Sequence, residues 1–367
     1  MFRYLRWTAL GIGFLLLLLA VGLGVYSNTD AFRRLVRDQL IASINSSIRG
    51  AVTLERIEGS IWGDMTLHDV RLRYEESDIV RVPRLKLSYA LLPLLRGHLQ
   101  IARAEAMEPS VQIVRDAQGR WNIAEALSSD DTTESQFSVF LKSLALRQGN
   151  LDLRLLGTEP KEYRLQNVML DGRLTVDPKG VDFKAGAITA RLQSQTLPEL
   201  GLKGSLAYLD AGAAPAVKVH SLLLESAASR LKLAGEVTDF AKPKIAANLV
   251  IEKLGAADLV RLVPDWPAKQ NLTGSVAANG SFEALALAMD ISAAGARATG
   301  KFTIDIAAPI PRYQGAIKLV GVDAQVWLAQ DRVAGILDGS AKVKGIGLAL
   351  AQLDASGSFD VRSTEVK

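Results

Sequence analysis

The chain has 367 residues, past the size at which a single hydrophobic core stops growing, so several domains or an elongated repeat architecture are expected. Hydrophobic residues make up 49%, charged residues 22% and aromatics 6%, which excludes bulk disorder but leaves few large side chains, so the core should be thin or extended. The absence of cysteine excludes disulfides and thiolate metal sites; of the net charge of +4, residues 1–120 carry 16 Lys and Arg against 12 Asp and Glu, while the rest balances at 27 against 27, which suits an anionic lipid surface near the N-terminus and lacks the basic stripe of a nucleic-acid binder.

From Trp7 to Tyr26 there are 20 residues without a charge, long enough to cross a bilayer as a helix. Arg3 and Arg6 precede the segment and place the N-terminus in the cytoplasm, although Arg33, Arg34 and Arg37 follow it closely. The alternative is a cleaved signal peptide, with small residues at Ala20-Val21-Gly22; both readings export the body. Asp30 is expected to cap a short amphipathic helix in which Phe32, Leu35, Val36, Leu40 and Ile44 recur at helical spacing. That helix either lies on the bilayer surface or plugs the end of the body that follows.

After Gly50 the period changes to two. Val70, Leu72 and Tyr74 alternate with Arg71 and Arg73, and Leu85, Leu87 and Tyr89 alternate with Lys86 and Ser88, the pattern of a half-buried antiparallel sheet. It continues through Leu99 and Ile101, Val111 and Ile113, Leu151 and Leu153, and Val168 and Leu170. Turns are predicted at Gln118-Gly119, Gln148-Gly149-Asn150, Asp171-Gly172 and Asp177-Pro178-Lys179-Gly180, and an exposed acidic loop over 128–135.

The tetrapeptide Leu-x-Gly-Ser begins at Leu202, Leu272 and Leu337, spaced by 70 and 65 residues. Before the last two copies come a strand (Leu249 to Glu252; Ile317 to Val320) and a short helical stretch (Ala256 to Val263; Val322 to Leu328), so a unit recurs that would stack on its neighbour. The alternative is coincidence among small residues. The third copy is expected to be cut short, as in a fragment of a longer protein.

No spacing carries chemistry. His68, His98 and His220 lie far apart and read as surface or rim residues, and neither a nucleophile elbow nor a phosphate loop is present. Asp152 and Asp305 alternate with apolar residues and read as a solvated outer face, so no enzyme, metal or cofactor is expected. What remains is the apolar face. With few helices to cover it, it either stays open as a binding surface for acyl chains, each buried methylene contributing about 0.8 kcal/mol, or closes as a sandwich core. The expected lining is Leu72, Tyr74, Leu85, Leu87, Leu99, Ile101, Val111, Ile113, Leu151, Leu153, Val168 and Leu170.

The segments Glu58-Gly59-Ser60-Ile61-Trp62-Gly63, Leu67-His68-Asp69-Val70-Arg71-Leu72, Leu91-Leu92-Pro93-Leu94-Leu95-Arg96-Gly97 and Arg115-Asp116-Ala117-Gln118-Gly119-Arg120-Trp121-Asn122 resemble the N-terminal region of the TamB branch of the AsmA-like superfamily, strongly to about residue 127 and diffusely after it. The resemblance implies a single-pass inner-membrane protein of Gram-negative bacteria with its body in the periplasm. It also implies an elongated, curled, taco-like antiparallel β-groove that moves phospholipid between the inner and outer membranes. A scaffold for outer-membrane protein assembly with a barrel partner of the TamA type is the alternative, and a purely structural tether a third; the branch's C-terminal partner domain is not in this sequence. The expected layout is an anchor over 1–29, an amphipathic helix over 30–49, a first β unit over 50–130 and repeated β units over 131–367. Phospholipid and membrane are the expected partners, with no nucleic acid.

Overall fold

The computed structural model describes residues 29–365 apart from 61–62, 91–92, 94–97, 129–137, 158–159, 196, 211–213, 263–269, 324, 327–334 and 348–353. The expected membrane span lies outside these residues, as does nearly all of the predicted acidic loop. No helix among the described residues is long and apolar enough to cross a membrane. The protein is mainly β, and its contacts divide it into two compact units, residues 1–162 and 163–367.

The first unit opens with α1 (Asp30–Asn45). Its N-cap is Thr29, whose hydroxyl accepts the Phe32 N–H at 3.3 Å, and not Asp30, which lies in the first turn and pairs with Arg33. Both residues are good caps; Thr29 takes the role because its backbone is extended, as a cap requires. Ile41 packs on a cluster built from Leu54, Ile57 and Leu67, with Met65, Val70, Leu85 and Leu87 around it. The helix thus covers the start of the body, while Leu35 and Leu40 stay exposed.

Seven strands follow: β1 (Ala51–Thr53), β2 (Arg56–Gly59), β3 (Asp64–Tyr74), β4 (Ser77–Ala90), β5 (His98–Met107), β6 (Ser110–Arg115) and β7 (Ser138–Leu155). β1 and β2 both pair antiparallel with β3, β3 with β4, and β4 with β5 and, briefly, β6. The all-antiparallel expectation fails here, because β5 and β6 pair parallel with β7. A parallel neighbour needs a crossover, and the chain between β6 and β7 supplies one with α2 (Asn122–Leu127). β5 and β6 form one interrupted line beside β7: Glu108 and Gln148 adopt positive φ, of 52° and 57°, at matching places in the two strands. Gln148-Gly149-Asn150 is therefore a kink inside β7 rather than a turn.

The second unit is an antiparallel meander: β8 (Lys161–Asp177), β9 (Gly180–Ser194), β10 (Leu200–Asp210), β11 (Ala216–Glu225), β12 (Arg230–Thr238), β13 (Lys244–Leu254), α3 (Ala256–Leu262), β14 (Leu272–Ser281), β15 (Ala284–Ala293), β16 (Ala296–Asp305), β17 (Arg312–Asp323), β18 (Ile336–Ile346) and β19 (Asp354–Glu365). Each strand pairs with the next in sequence. Asp171-Gly172, predicted as a turn, is a register shift within β8; turns and bulges draw on the same residue types, so composition alone does not separate them. The turns at Gln118-Gly119 and around Pro178-Lys179 are present. Of the predicted helical stretches, Ala256 to Leu262 forms α3, whereas Val322 and Asp323 still belong to β17.

The Leu-x-Gly-Ser copies fall on β10, β14 and β18, every fourth strand, each following a connection at the same edge of the meander. The glycine lets neighbouring strands approach: at Gly274, with φ of +142°, an added Cβ would lie 2.1 Å from the Asp290 carbonyl oxygen.

Candidate functional site

In the second unit the period-two pattern becomes a lattice, because direct cross-strand partners share a face. Leu222 of β11 lies opposite Leu233 of β12, then Leu249, Val276 and Met289 on β13 to β15. The row runs on through Gly300, Ile317 and Ala341 to Phe359 on β19. Three more rows flank it, beginning on β10 at Leu202, Leu206 and Tyr208, and none of the four contains Asp, Glu, Lys or Arg. At strand spacings of about 4.8 Å and about 6.7 Å between same-face residues, the face from β10 to β19 measures roughly 43 by 20 Å.

Among the described residues these side chains are mostly half-buried, the state of an apolar face shielded by its own neighbours. Glycines in the rows are covered laterally: the Phe302 ring lies over Gly315, where an added Cβ would come within 2.4 Å of it. Among the described residues of this unit, a cluster of buried side chains forms at one edge. There Leu259 of α3 packs on Ile251, Leu272 and Ala293, with Leu231, Leu249, Leu254 and Ile291 around them. Buried Asp258 fixes the helix, accepting the hydroxyls of Ser226 and Ser229, while Ser229 Oγ in turn accepts the Gly255 N–H at 3.0 Å.

The opposite face is polar and largely ion-paired over β11 to β13. Lys218 meets Glu236, Arg230 meets Glu225 and Glu252, and Lys232 also meets Glu252. The Lys232 hydrogen bond, ahead of the Arg230 charge, holds the Glu252 carboxyl below its ordinary range. Arg297 does the same for Asp290 through a 2.8 Å bond.

All twelve residues expected to line the apolar surface are half-buried. In the first unit, Leu85 and Leu87 belong to the cluster under Ile41, and Leu72 lies opposite Val52 and Val80, with Tyr74 opposite Ser77. Leu99 is beside Val139, Ile101 beside Leu141, Val111 beside Leu151 and Ile113 beside Leu153. In the second unit Leu170 faces Ile188, and Val168 sits at a register shift of β8. Sequence reasoning thus pointed to the first unit and the start of the second, whereas the widest uninterrupted apolar lattice lies further on, where alanines and glycines dilute the alternation.

The histidines differ from expectation in one case: His68 is half-buried, with Nε2 2.9 Å from Glu58, and its hydrogen bond holds the Glu58 carboxyl low. Asp305 is half-buried and accepts the N–H groups of Ala307 and Ala308. No group of three or more His, Asp or Glu placed to hold a metal lies among the described residues.

The segment Arg115 to Asn122 forms a knot after β6. Asp116 accepts the N–H groups of Gln118 and Arg120 and the Arg120 guanidinium, and those backbone bonds depress its pKa. The Asn122 amide bridges the Gln112 carbonyl and the Val114 N–H, and the end of α2 accepts the Gly50 N–H. These contacts explain why this residue pattern marks the region, since each polar side chain closes a specific backbone group.

No curated protein and no solved structure was found to match the chain. The AsmA family model matches residues 1–155, so that part of the chain is similar to the AsmA family.

Proposed function

We propose that the protein is an inner-membrane anchored, periplasmic β-groove protein of the TamB type that carries phospholipid between the inner and outer membranes without catalysis. The observation that supports this reading is the four-row apolar lattice from β10 to β19, free of charge and, among the described residues, with no layer packed on it beyond Leu259 at its edge. Acyl chains suit such a surface because they gain about 0.8 kcal/mol per buried methylene and need no hydrogen-bond partner. Phosphate headgroups would remain in water beyond the rows. In the first unit, α1 and its Ile41 contact would bring the body up to the anchor.

The test is site-specific photocrosslinking from Leu233, Val276 and Leu287 in cells. Phospholipid adducts at all three positions are expected, and their absence would sink the lipid reading. A second reading, assembly of outer-membrane proteins by strand addition, draws support from β19, where Phe359 and Val361 are 73% and 60% exposed. Under that reading the same crosslinkers, and one at Phe359, would capture polypeptide.

A further inference from the structure

A recess of about 1080 Å³ opens over β14 to β19 of the second unit, lined mainly by residues of the polar face together with Leu287, Phe302, Gly315, Val343 and Gly357 of one apolar row. Its floor is made of small residues, Ala277, Ala286, Ala288 and Ala316, and its walls carry Lys301, Lys342 and Lys344. Lys301 and Lys342 both lie opposite Ala316, one strand to either side, and Lys344 is two residues along from Lys342. Their Cα atoms are therefore about 10 Å and about 7 Å apart, close enough for three ammonium groups to converge on one anion. No carboxylate lines the recess, and none of the three lysines has an ion-pair partner among the described residues. This contrasts with β11 to β13, where cations of the same face meet Glu236, Glu225 and Glu252. Asn279 and Gln314 add amide donors.

A second recess of about 550 Å³ shares Thr303, Gln314, Lys344 and Ser356 with the first; its own lining adds the carboxylates Glu283 and Asp305 beside Arg312, and it reaches the sheet edge at Arg312 and Ile346. At that edge Ile306, Ile310 and Ile346 are exposed, 38%, 46% and 39%. The trough therefore leads from an unneutralised basic pocket to an apolar rim, and one kind of molecule satisfies both ends. We propose that this trough binds the phosphate-bearing headgroup of an anionic amphiphile, with Lys301, Lys342 and Lys344 holding the phosphate and the apolar portion lying against Ile310 and Ile346. Charge-assisted contacts to phosphate are the strong ones, and their geometry here needs no rearrangement of the backbone. A nucleic acid would call for exposed aromatics to stack its bases, and the rings that line the two recesses, Phe302 and Tyr313, belong to the apolar rows. The inference stands on the lysines of the polar face and does not require the apolar face to carry lipid.

The test uses the full chain in amphipol and measures binding of dihexanoyl-phosphatidylglycerol, inorganic phosphate and a heptaglutamate peptide. The variant K301Q/K342Q/K344Q is compared with the charge-matched control K179Q/K242Q/K244Q, and circular dichroism verifies the fold of both. Saturable binding of the lipid is expected, weakened about tenfold or more in the recess variant and unchanged in the control. Equal losses in the two variants, or no saturable binding, would overturn the proposal. Phosphate or heptaglutamate binding as tightly as the lipid would also overturn it, by assigning the recess to a free anion or an acidic polypeptide.

Discussion

A single charge placed in the middle of the apolar lattice separates an open face from a closed core. Leu233 lies between Leu222 and Leu249 on β12, the third of the ten lattice strands, and is half-buried. Full burial of a leucine side chain is worth about 1.5–3 kcal/mol, so losing half of it in Leu233→Glu should cost roughly 1 kcal/mol, with the carboxylate still hydrated. Were a second apolar layer packed on this face, the same substitution would bury an unpaired charge and cost about 3–5 kcal/mol or more. Urea unfolding followed by circular dichroism gives the difference directly from the midpoint at constant slope. The variant should therefore fold and accumulate, yet lose the phospholipid crosslinks of neighbouring Leu222 and Leu249. A loss of stability beyond about 3 kcal/mol would refute the open face, and normal crosslinking in a folded variant would refute the acyl path.

Three further outcomes are expected. Asp258→Ala removes the acceptor of two serine hydroxyls and should loosen α3 by about 2–3 kcal/mol, read as faster hydrogen exchange in Ala256–Leu262 with the β12 and β13 amides unchanged. Gly274→Ala adds a Cβ 2.1 Å from the Asp290 oxygen at a φ that disfavours side chains, and should cost about 2 kcal/mol or more in thermal unfolding, whereas Gly63→Ala, with nothing within 4 Å, should cost far less. Asp69 has its carboxyl held below the usual range by hydrogen bonds first from Arg71 and then from Arg81. Its contribution is present above the unfolded carboxylate value of about 3.9 and is lost as pH falls through the lower folded value, so Asp69→Asn should flatten the loss of stability below about pH 4. An unchanged acid profile would argue against that ion pair.

How far the fold was legible depended on whether a signal was periodic or local. Alternation at Leu85 and Leu87 or Leu151 and Leu153 marks strands because one buried face imposes a period of two. The Leu-x-Gly-Ser copies located every fourth strand because close approach of strands excludes a Cβ at Gly204 and Gly274. Direction was not legible: β5 and β7 alternate like antiparallel strands yet run parallel, since pairing direction is set by the crossover and not by the pattern. Nor were Gln148 and Asp171 readable as irregularities within strands: the left-handed backbone of Gln148 suits a turn equally well, and the register shift at Asp171 uses the residue types that turns also favour. The buried Asp258 and the lysine recess stayed hidden for a different reason. Both join residues separated by roughly 30 to 40 positions, brought together only when a meander lays β11 beside β12 or β16 beside β18 through β17.

The recurrence of Leu-x-Gly-Ser on β10, β14 and β18 has a mechanical consequence. Four strands at about 4.8 Å advance the sheet by roughly 19 Å, so the motif marks off a fixed increment along the stack. A chain built this way can be lengthened or shortened by whole increments, gaining or losing reach while its cross-section stays the same. The distance to be bridged then becomes a matter of counting, and a duplicated or deleted segment of sequence adjusts it without redesigning any contact.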